Sequence, residues 1–217
     1  MTSGLLSREV LDAFAHGEVS ARVAARVLGI PPETLPPDAT PRTFVVDTCT
    51  IINFTAAARL DLLESALEGR GRWTESAADE INRAIDHWPA LWTIPVVDWR
   101  GEPITPGRAG DTDDVFRLQR QLGGTRREPR KHLAEAEAIH LVLCYPEFAS
   151  AIFLTDDRSA ADLAAKRGVK SWTSPDVLSV AYRNGRIGCS AAYEVLLDIE
   201  QAGRGVHVPV DHEFVCP

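Results

Sequence analysis

The sequence predicts an α/β fold in which helices cover both faces of a mostly parallel central sheet, preceded by a small helical arm. Three short segments are predicted as strands: residues 43–47 and 151–155, which are apolar and typical of buried strands, and residues 169–173. None of them alternates apolar with polar residues, as a strand with one solvent-facing side would. Segments with helical spacing separate the three runs, and this alternation favours parallel pairing in a three-layer α/β/α arrangement.

The remaining elements of this domain follow from the spacing of apolar residues. Residues 60–67, 77–85, 113–122, 133–143, 159–166, 175–182 and 191–201 have the spacing of helices. Residues 92–99 are apolar but contain Pro95, so we expect a short edge strand at most.

Five prolines between residues 31 and 41 mark a domain boundary, because proline fixes φ and lacks an amide donor. We therefore divide the chain into a helical arm (1–36), a proline-rich linker (37–42) and a domain (43–217). In the arm, residues 6–14 and 20–28 have helical spacing. Residues 20–30 resemble the first part of a helix-turn-helix in small bacterial antitoxins, but prolines follow where a recognition helix should begin. The arm is interpreted either as a DNA-binding fragment or as a packing or dimerising element.

Composition narrows the class of protein. The 217 residues contain no apolar run of the roughly 20 residues that a membrane helix needs, and the first ten do not resemble a signal peptide. We therefore expect a cytoplasmic protein with no membrane partner. The four cysteines are far apart and form no Cys-x-x-Cys pair, so reduced thiols are expected. A net charge of −8 argues against a broad basic face for nucleic acid, so any such contact must be local or assisted by metal.

Acidic residues follow two of the predicted strands. Asp47 comes directly after the first strand, and the pair Asp156 and Asp157 after the second. In an open parallel sheet, ligands bind beyond the carboxyl ends of the strands. Glu80 and Glu135 lie on predicted helices that can bring carboxylates to this edge. Such a cluster would repel itself unless it held a hard divalent cation, which points to Mg2+ or Mn2+ and to hydrolysis of a nucleic-acid backbone.

Three segments resemble the PIN-domain family of ribonucleases. They are Phe-Val-Val-Asp-Thr-Cys-Thr-Ile-Ile-Asn at 44–53, Leu-Ala-Glu-Ala-Glu-Ala-Ile at 133–139 and Ile-Phe-Leu-Thr-Asp-Asp-Arg-Ser-Ala at 152–160. Ala134 stands where the family has glycine. Gly168-Val169 and the Ser-Pro-Asp-Val-Leu of 174–178 follow in the expected order, so the resemblance covers residues 43 to about 190.

The resemblance implies a PIN-like fold and a Mg2+- or Mn2+-dependent endoribonuclease that hydrolyses RNA phosphodiester bonds. Members of the family are commonly the toxin of a toxin–antitoxin pair, so a cognate antitoxin protein is an implied partner besides the RNA substrate. By the same resemblance, Asp47, Glu135 and Asp156 are the metal-centred acids and Glu80 supports them. Asp157 binds the metal or positions its water, and Thr48 or Asn53 orients a ligand. Glu75 is the alternative to Glu80, and either Asp156 or Asp157 can be the main acid at the strand end.

Simpler interpretations exist for each of these residues. An aspartate after a strand is most often a helix N-cap, which fits both Asp47 and Asp157, and lone glutamates on helices are usually solvated. A haloacid-dehalogenase phosphatase is excluded because Cys49 stands where its second aspartate should be. A dinucleotide-binding enzyme would need a glycine-rich loop after the first strand, which is absent. The main alternative function is a PIN-like binding or regulatory module without catalysis.

Two further expectations concern partners. A basic run directly precedes Glu135 and could guide a phosphate backbone, and its charged members are Arg126, Arg127, Arg130 and Lys131. A homodimer is expected because the sequence predicts exposed apolar faces on the two closing helices, 175–182 and 191–201. His132 is not expected to bind metal, because the sequence contains no His-x-x-x-His pair.

Overall fold

The computed structural model describes residues 10–11, 21–31, 43–93 and 101–216. Most of the helix predicted over 6–14, the linker at 37–42 and nearly all of the edge strand predicted over 92–99 lie outside these residues. So does part of the boundary between the arm and the domain.

A four-stranded parallel sheet forms the centre of the domain. Its strands are β1 (Phe44–Val46), β2 (Gly71–Arg72), β3 (Ile152–Leu154) and β4 (Ser171–Trp172), in the order β2-β1-β3-β4. β1 and β3 are neighbours, with Phe44 opposite Ile152 and Val46 opposite Leu154. The predicted parallel α/β sheet is thus confirmed, and the strands carrying the acidic residues are adjacent.

The helices follow the predicted bounds closely. They are α1 (Ala21–Leu28), α2 (Thr48–Ala56), α3 (Leu60–Leu67), α4 (Glu75–Ala84), α5 (Asp111–Gln121), α6 (Leu133–Cys144), α7 (Arg158–Lys166), α8 (Ser174–Arg183) and α9 (Cys189–Gln201). Short 3-10 turns occupy Pro89–Thr93, Pro146–Phe148 and His212–Phe214. Helix α2, strand β2 and the three 3-10 turns have no counterpart among the sequence predictions.

Alternate residues of the strands point into two separate cores, which makes the domain three-layered. Phe44, Val46, Ile152 and Leu154 join side chains of α2, α3, α8 and α9 on one face. Val45 and Phe153 join α5, α6 and α7 on the other. Because both faces of β1 and β3 are buried, these two strands read as continuous apolar runs.

The expectation about the cysteines is corrected. Cys189 and Cys216 form a disulfide with Cα atoms 5.7 Å apart, so the expectation of four reduced thiols is wrong for this pair, while Cys49 and Cys144 are free. Spacing in the sequence could not show that the C-terminal turn returns to the start of α9.

The apolar residues of α8 and α9 are largely used by the core. Val177, Leu178, Val195 and Leu196 are all buried there. In the described part of the chain, the large apolar side chains that are exposed lie outside these two helices: Val27, Trp92, Phe116, Leu143, Val210 and Phe214. The homodimer was expected from exposed apolar faces on these two helices, and the described residues do not provide such faces. Among the described residues, no helix is long and apolar enough to cross a membrane.

Candidate metal centre

The carboxyl ends of β1 and β3 bring the strand-end acids to one edge of the sheet. The backbone amide of Asp47 donates to the carbonyl of Leu154 at 2.9 Å, so the ladder continues one residue past β1. Asp47 therefore lies beside Thr155, directly before Asp156 and Asp157. This is the edge at which the sequence analysis expected the acids to meet.

Asp47 is not used as a helix cap. It occupies the N-cap position of α2 with extended backbone angles, but its side chain makes no capping hydrogen bond. Its Oδ2 accepts instead from the hydroxyl of Thr155 at 2.7 Å and from the thiol of Cys49 at 2.9 Å. The side chain is thus held toward the sheet edge by two neutral donors, at a position where a cap would have turned it toward the helix.

The charge of Asp47 is poorly compensated. The residue is only 3% exposed, and burial together with the neighbouring charge of Glu135 raises its pKa to about 7. The bonds from Cys49 and Thr155 act in the opposite direction, and Glu80 adds to the rise. A buried carboxylate surrounded by other carboxylates is unfavourable without a cation. A bound cation would remove this cost.

Glu80 reaches the same group of acids, and Glu75 does not. Burial and the charge of Glu135 raise the pKa of Glu80, while a hydrogen bond from Thr48 lowers it. Thr48 thus links the start of α2 to α4, where its hydroxyl also lies 3.4 Å from the carbonyl of Ala77. Glu75, at the first turn of α4, is instead bonded by the hydroxyl of Thr105.

His132, Glu135 and Asp157 form a cluster that could hold a metal ion. One ligand atom from each of the three lies within 4.8 Å of the others. The Nδ1 of His132 is 3.0 Å from the Oε1 of Glu135, and both side chains are mostly buried. His132 adopts a left-handed conformation with φ of 58°, at the N-cap of α6, which is uncommon for a residue other than glycine. This conformation precedes the first turn of α6, which carries Glu135.

His132 is the residue that sequence reasoning missed. His132 lies three residues before Glu135 at the start of a predicted helix. This spacing could have indicated that the two side chains are neighbours, because residues three apart lie on the same face of a helix. Two carboxylates and an imidazole are a donor set that fits a divalent cation, particularly one with affinity for nitrogen.

Asp156 is fully engaged by donors. Its Oδ1 accepts from the amide of Ser174 at 2.8 Å, and its Oδ2 accepts from the Ser174 hydroxyl at 2.6 Å and from Asn53 at 2.9 Å. Asn53 is itself fixed, since it donates to the carbonyl of Gly205 and accepts from Arg204. These bonds tie β3 to α8 and α2, so Asp156 and Asn53 are placed as a structural support beside the cluster.

Asp157 has a double role. Its Oδ1 accepts from the amide of Ala160 at 2.9 Å, so it caps α7, as its simplest interpretation predicted. Its own amide donates to the hydroxyl of Thr155, which in turn donates to Asp47. A carboxylate has two oxygens, and capping uses one, so Asp157 can also take part in the cluster with Glu135. Of the two strand-end aspartates, Asp157 is the one that meets the other acids.

The basic run lies in a loop that is fastened to α5. The buried amide of Gln119 donates to the carbonyls of Pro129 and Lys131, each at 2.8 Å. Gly124 allows this close approach, since a Cβ there would lie 2.6 Å from Gln119 Cγ and 2.9 Å from the Lys131 carbonyl. The loop therefore has a defined course up to His132.

The four basic residues of this loop differ in their surroundings. All are exposed. Arg130 lines a small cavity of about 70 Å3 with Glu80, and Arg126 lines a larger groove beside α5. Lys131 forms an ion pair with Glu128 at 3.8 Å. Arg127 lines neither depression.

Comparison of the chain with models of known families, with curated proteins and with solved structures finds no match.

Proposed function

We propose that this chain is a metal-dependent endoribonuclease, a hydrolase of RNA phosphodiester bonds that uses a divalent cation held at the edge of β1 and β3. The single observation that carries the proposal is the acidic edge centred on Glu135, which forms a cluster with His132 and Asp157 and whose charge acts on Asp47 and Glu80. Structural carboxylates are ordinarily paired with donors, as Asp156 is, whereas this group contains more negative charge than its neighbours neutralise.

The donor set favours Mn2+ over Mg2+. Glu135 and Asp157 offer oxygen ligands that suit either ion, whereas the imidazole of His132 suits Mn2+ better than Mg2+. Asp47 is a further candidate ligand, because the charge of Glu135 acts on it and Thr155 and Cys49 occupy only its Oδ2. Such a cation would supply positive charge at the scissile phosphate and make water acidic enough to serve as a nucleophile.

The chain's own groups provide the remaining functions. Thr155 and Cys49 hold Asp47 in one orientation, and Thr48 does the same for Glu80. Arg130, in the cavity next to Glu80, is suitably placed to contact a phosphate that approaches the acids. Hydrolysis then forms a bond from water oxygen to phosphorus and breaks the bond from phosphorus to the leaving oxygen, which takes up a proton.

RNA as substrate also rests on the resemblance of three segments to PIN-domain ribonucleases, which together contain Asp47, Glu135 and Asp157. The role of toxin, with an antitoxin as partner, follows from that resemblance alone.

The test is cleavage of a generic single-stranded RNA by the purified chain, with Mn2+, with Mg2+ and with EDTA. We expect cleavage with Mn2+, weaker cleavage with Mg2+ and none with EDTA. Glu135→Gln should abolish it, and Glu75→Gln, which changes an acid outside the cluster, is the matched control. Cleavage that persists in EDTA and in Glu135→Gln would contradict the proposal and indicate a contaminating nuclease or a metal-independent site.

The contribution of His132 is tested by titrating the metal alone, followed by calorimetry. His132→Gln should weaken Mn2+ binding about tenfold or more and change Mg2+ binding much less, because loss of a ligand or its close support typically costs 10- to 100-fold. Equal losses for both ions would mean that the imidazole only positions Glu135.

A further inference from the structure

A groove beside α5 contains an exposed aromatic ring among arginines. It has a volume of about 860 Å3, and its lining includes Phe116, Arg117, Arg120, Arg126 and Asp113. The Phe116 side chain is 41% exposed, although it stands on a helix whose other large apolar residues, Val115 and Leu118, are buried. The groove is therefore not explained by packing of the core.

The groove is positively charged in a chain whose net charge is negative. Arg117 is paired with Asp114 at 2.8 Å. Within the described part of the chain, Arg120 and Arg126 form no ion pair. Asp113 is the one acid among the lining residues. With a net charge of −8 over the whole chain, this excess of arginine is a local feature.

Two further depressions share lining residues with the groove or with each other. Phe116 also lines a second depression of about 200 Å3, together with Leu133 and Glu137. Leu133 in turn lines the small cavity that contains Glu80 and Arg130. The three depressions are thus neighbours, and together they define a path from Arg120 and Arg126 past Phe116 to the cavity that contains Glu80.

Along this path the chemical character changes in steps. The arginine end suits phosphates, Phe116 offers a flat apolar face, and the far cavity contains the acids Asp79 and Glu80 together with Arg83 and Arg130. Glu137, in the middle, is bonded by the hydroxyl of Ser76 at 2.8 Å, so its carboxylate is partly satisfied. Proteins bind single-stranded nucleic acid by this combination, with basic groups along the backbone and aromatic rings under the bases.

We infer that the path is a binding track for single-stranded RNA, with a base stacked on Phe116, the backbone contacted by Arg120 and Arg126, and the scissile phosphate at the acidic cluster. The choice of RNA rests on the proposed function, and the track adds the strand state of the substrate. A duplex does not fit this arrangement, because its bases are stacked on each other and cannot offer a face to Phe116.

The loop geometry supports a track that exists before RNA binds. Gln119 lies on α5 between the groove residues and fastens the loop through two carbonyl groups. Arg126 therefore faces the groove from a loop whose course is fixed, and less conformational entropy is lost on binding.

Binding is measured by fluorescence anisotropy with a labelled single strand of about twelve nucleotides, within the range of single-strand site sizes. EDTA is present, so that no cleavage occurs. Phe116→Leu should weaken binding about tenfold, since it keeps apolar surface but removes the stacking face. Phe116→Trp should bind as tightly as the parent. Phe214→Ala, at another exposed phenylalanine, is the matched control.

The arginines are tested by the salt dependence of the same binding. Arg120→Gln and Arg126→Gln should each lower the log–log slope by about 0.7, the value for one phosphate contact of a single strand. Arg186→Gln, an exposed arginine in a depression next to α3, should leave the slope unchanged. Circular dichroism melting of each variant verifies that it is folded.

The outcomes separate the track from the catalytic proposal. If Phe116→Leu binds single strands as tightly as the parent, or if a duplex of equal length binds as well, the track is wrong even when metal-dependent cleavage is present. If the Phe116 and arginine variants change RNA binding as expected but the chain cleaves RNA with neither Mn2+ nor Mg2+, the track is supported and the proposed endoribonuclease function is wrong. In an active enzyme, Phe116→Leu should raise KM for the long strand and leave kcat nearly unchanged.

Discussion

Asp47 and Asp111 are both buried aspartates at the start of a helix, yet their surroundings shift the carboxyl pKa in opposite directions. Asp47 is 3% exposed and Asp111 is 6% exposed. Hydrogen bonds from Tyr145 and the amide of Arg108, with His140 in addition, lower the pKa of Asp111 to about 2 despite its burial. Burial and the charge of Glu135 raise that of Asp47 to about 7.

The two pKa values are shifted in opposite directions because the hydrogen-bond partners and charged neighbours differ, and not because one aspartate is buried more deeply. Both oxygens of Asp111 are used: Oδ1 by His140 at 2.8 Å, and Oδ2 by Tyr145 at 2.6 Å and the Arg108 amide at 2.7 Å. Asp47 has two neutral donors on one oxygen and negatively charged neighbours. Asp111 thus forms a completed structural network that joins α5 to α6, whereas Asp47 belongs to a group that a cation would complete.

The largest expected effect is on catalysis. Asp47→Asn should reduce Mn2+-dependent RNA cleavage about a thousandfold or more, because loss of a group that stabilises transition-state charge costs several kcal/mol. Asp111→Asn is the matched control, since it makes the same change in an equally buried aspartate. Its activity per folded molecule should stay near that of the parent. Initial rates normalised to folded protein test the pair, and similar losses in both variants would remove the distinction between the two networks.

The next effect concerns stability as a function of pH without metal. Because the folded-state pKa of Asp47 is raised, the folded protein binds more protons than the unfolded chain between pH 3.8 and about 7. The free energy of unfolding should therefore fall as pH rises through this window, by an amount on the order of a few kcal/mol. Asp47→Asn should reduce the fall without abolishing it, since the pKa values of Glu80 and Asp156 are also raised.

Asp111 should produce the opposite pH dependence. Its lowered pKa gives stability that is present above the unfolded value of 3.8 and lost as pH falls toward about 2. Urea unfolding in EDTA at a series of pH values measures both slopes. A parent protein whose stability rises from pH 4 to 7 would show that the acids are not strained without metal. Excess Mn2+ should stabilise the parent more than Asp47→Asn, by mass action.

A smaller effect is expected on melting temperature. Asp111→Asn weakens bonds to His140 and Tyr145 in a buried network, so we expect Tm to fall by about 3 to 8 °C near neutral pH. Asp47→Asn in EDTA should melt no lower than the parent, because it relieves repulsion from Glu135. Differential scanning calorimetry compares the two. If Asp47→Asn lowered the Tm and Asp111→Asn left it unchanged, the opposite roles assigned to the two aspartates would be wrong.

Much of the fold could be predicted because strands buried on both faces and amphipathic helices leave strong patterns. Helix α2 left none: its sequence, Thr-Cys-Thr-Ile-Ile-Asn-Phe-Thr-Ala, is rich in β-branched residues, and nearly all of its faces are buried. Strand β2 has two residues, Gly71 and Arg72, and is too short to show a period. In both cases tertiary contacts decide the structure.

The sequence indicated which acidic residues lie at this edge of the sheet, but not which hydrogen-bond partners each of them has. Asp156 and Asp157 are adjacent and chemically identical, and what separates them is Ser174, 18 residues away, which binds only Asp156. His132 was set aside because it lacks a second histidine, and its role depends on the left-handed backbone before α6. Sequence patterns identify which types of residue lie at an edge of the sheet. The hydrogen-bond partners of each carboxylate oxygen can be identified only in the folded chain.

The smallest expected effect distinguishes members of the basic loop. Arg130 lines the cavity next to Glu80, whereas Arg127 lines neither the cavity nor the groove, and Lys131 is paired with Glu128. Arg130→Gln should therefore weaken binding of a single-stranded RNA several-fold near 0.1 M salt and lower the salt slope by about 0.7, the value of one phosphate contact. Arg127→Gln makes the same change in charge three residues away, so general electrostatic attraction falls equally in both variants. Anisotropy titrations over a range of salt concentrations separate the two contributions. If Arg127→Gln and Arg130→Gln change the slope by the same amount, the loop acts only through its summed charge, and the position next to Glu80 has no specific function in holding RNA.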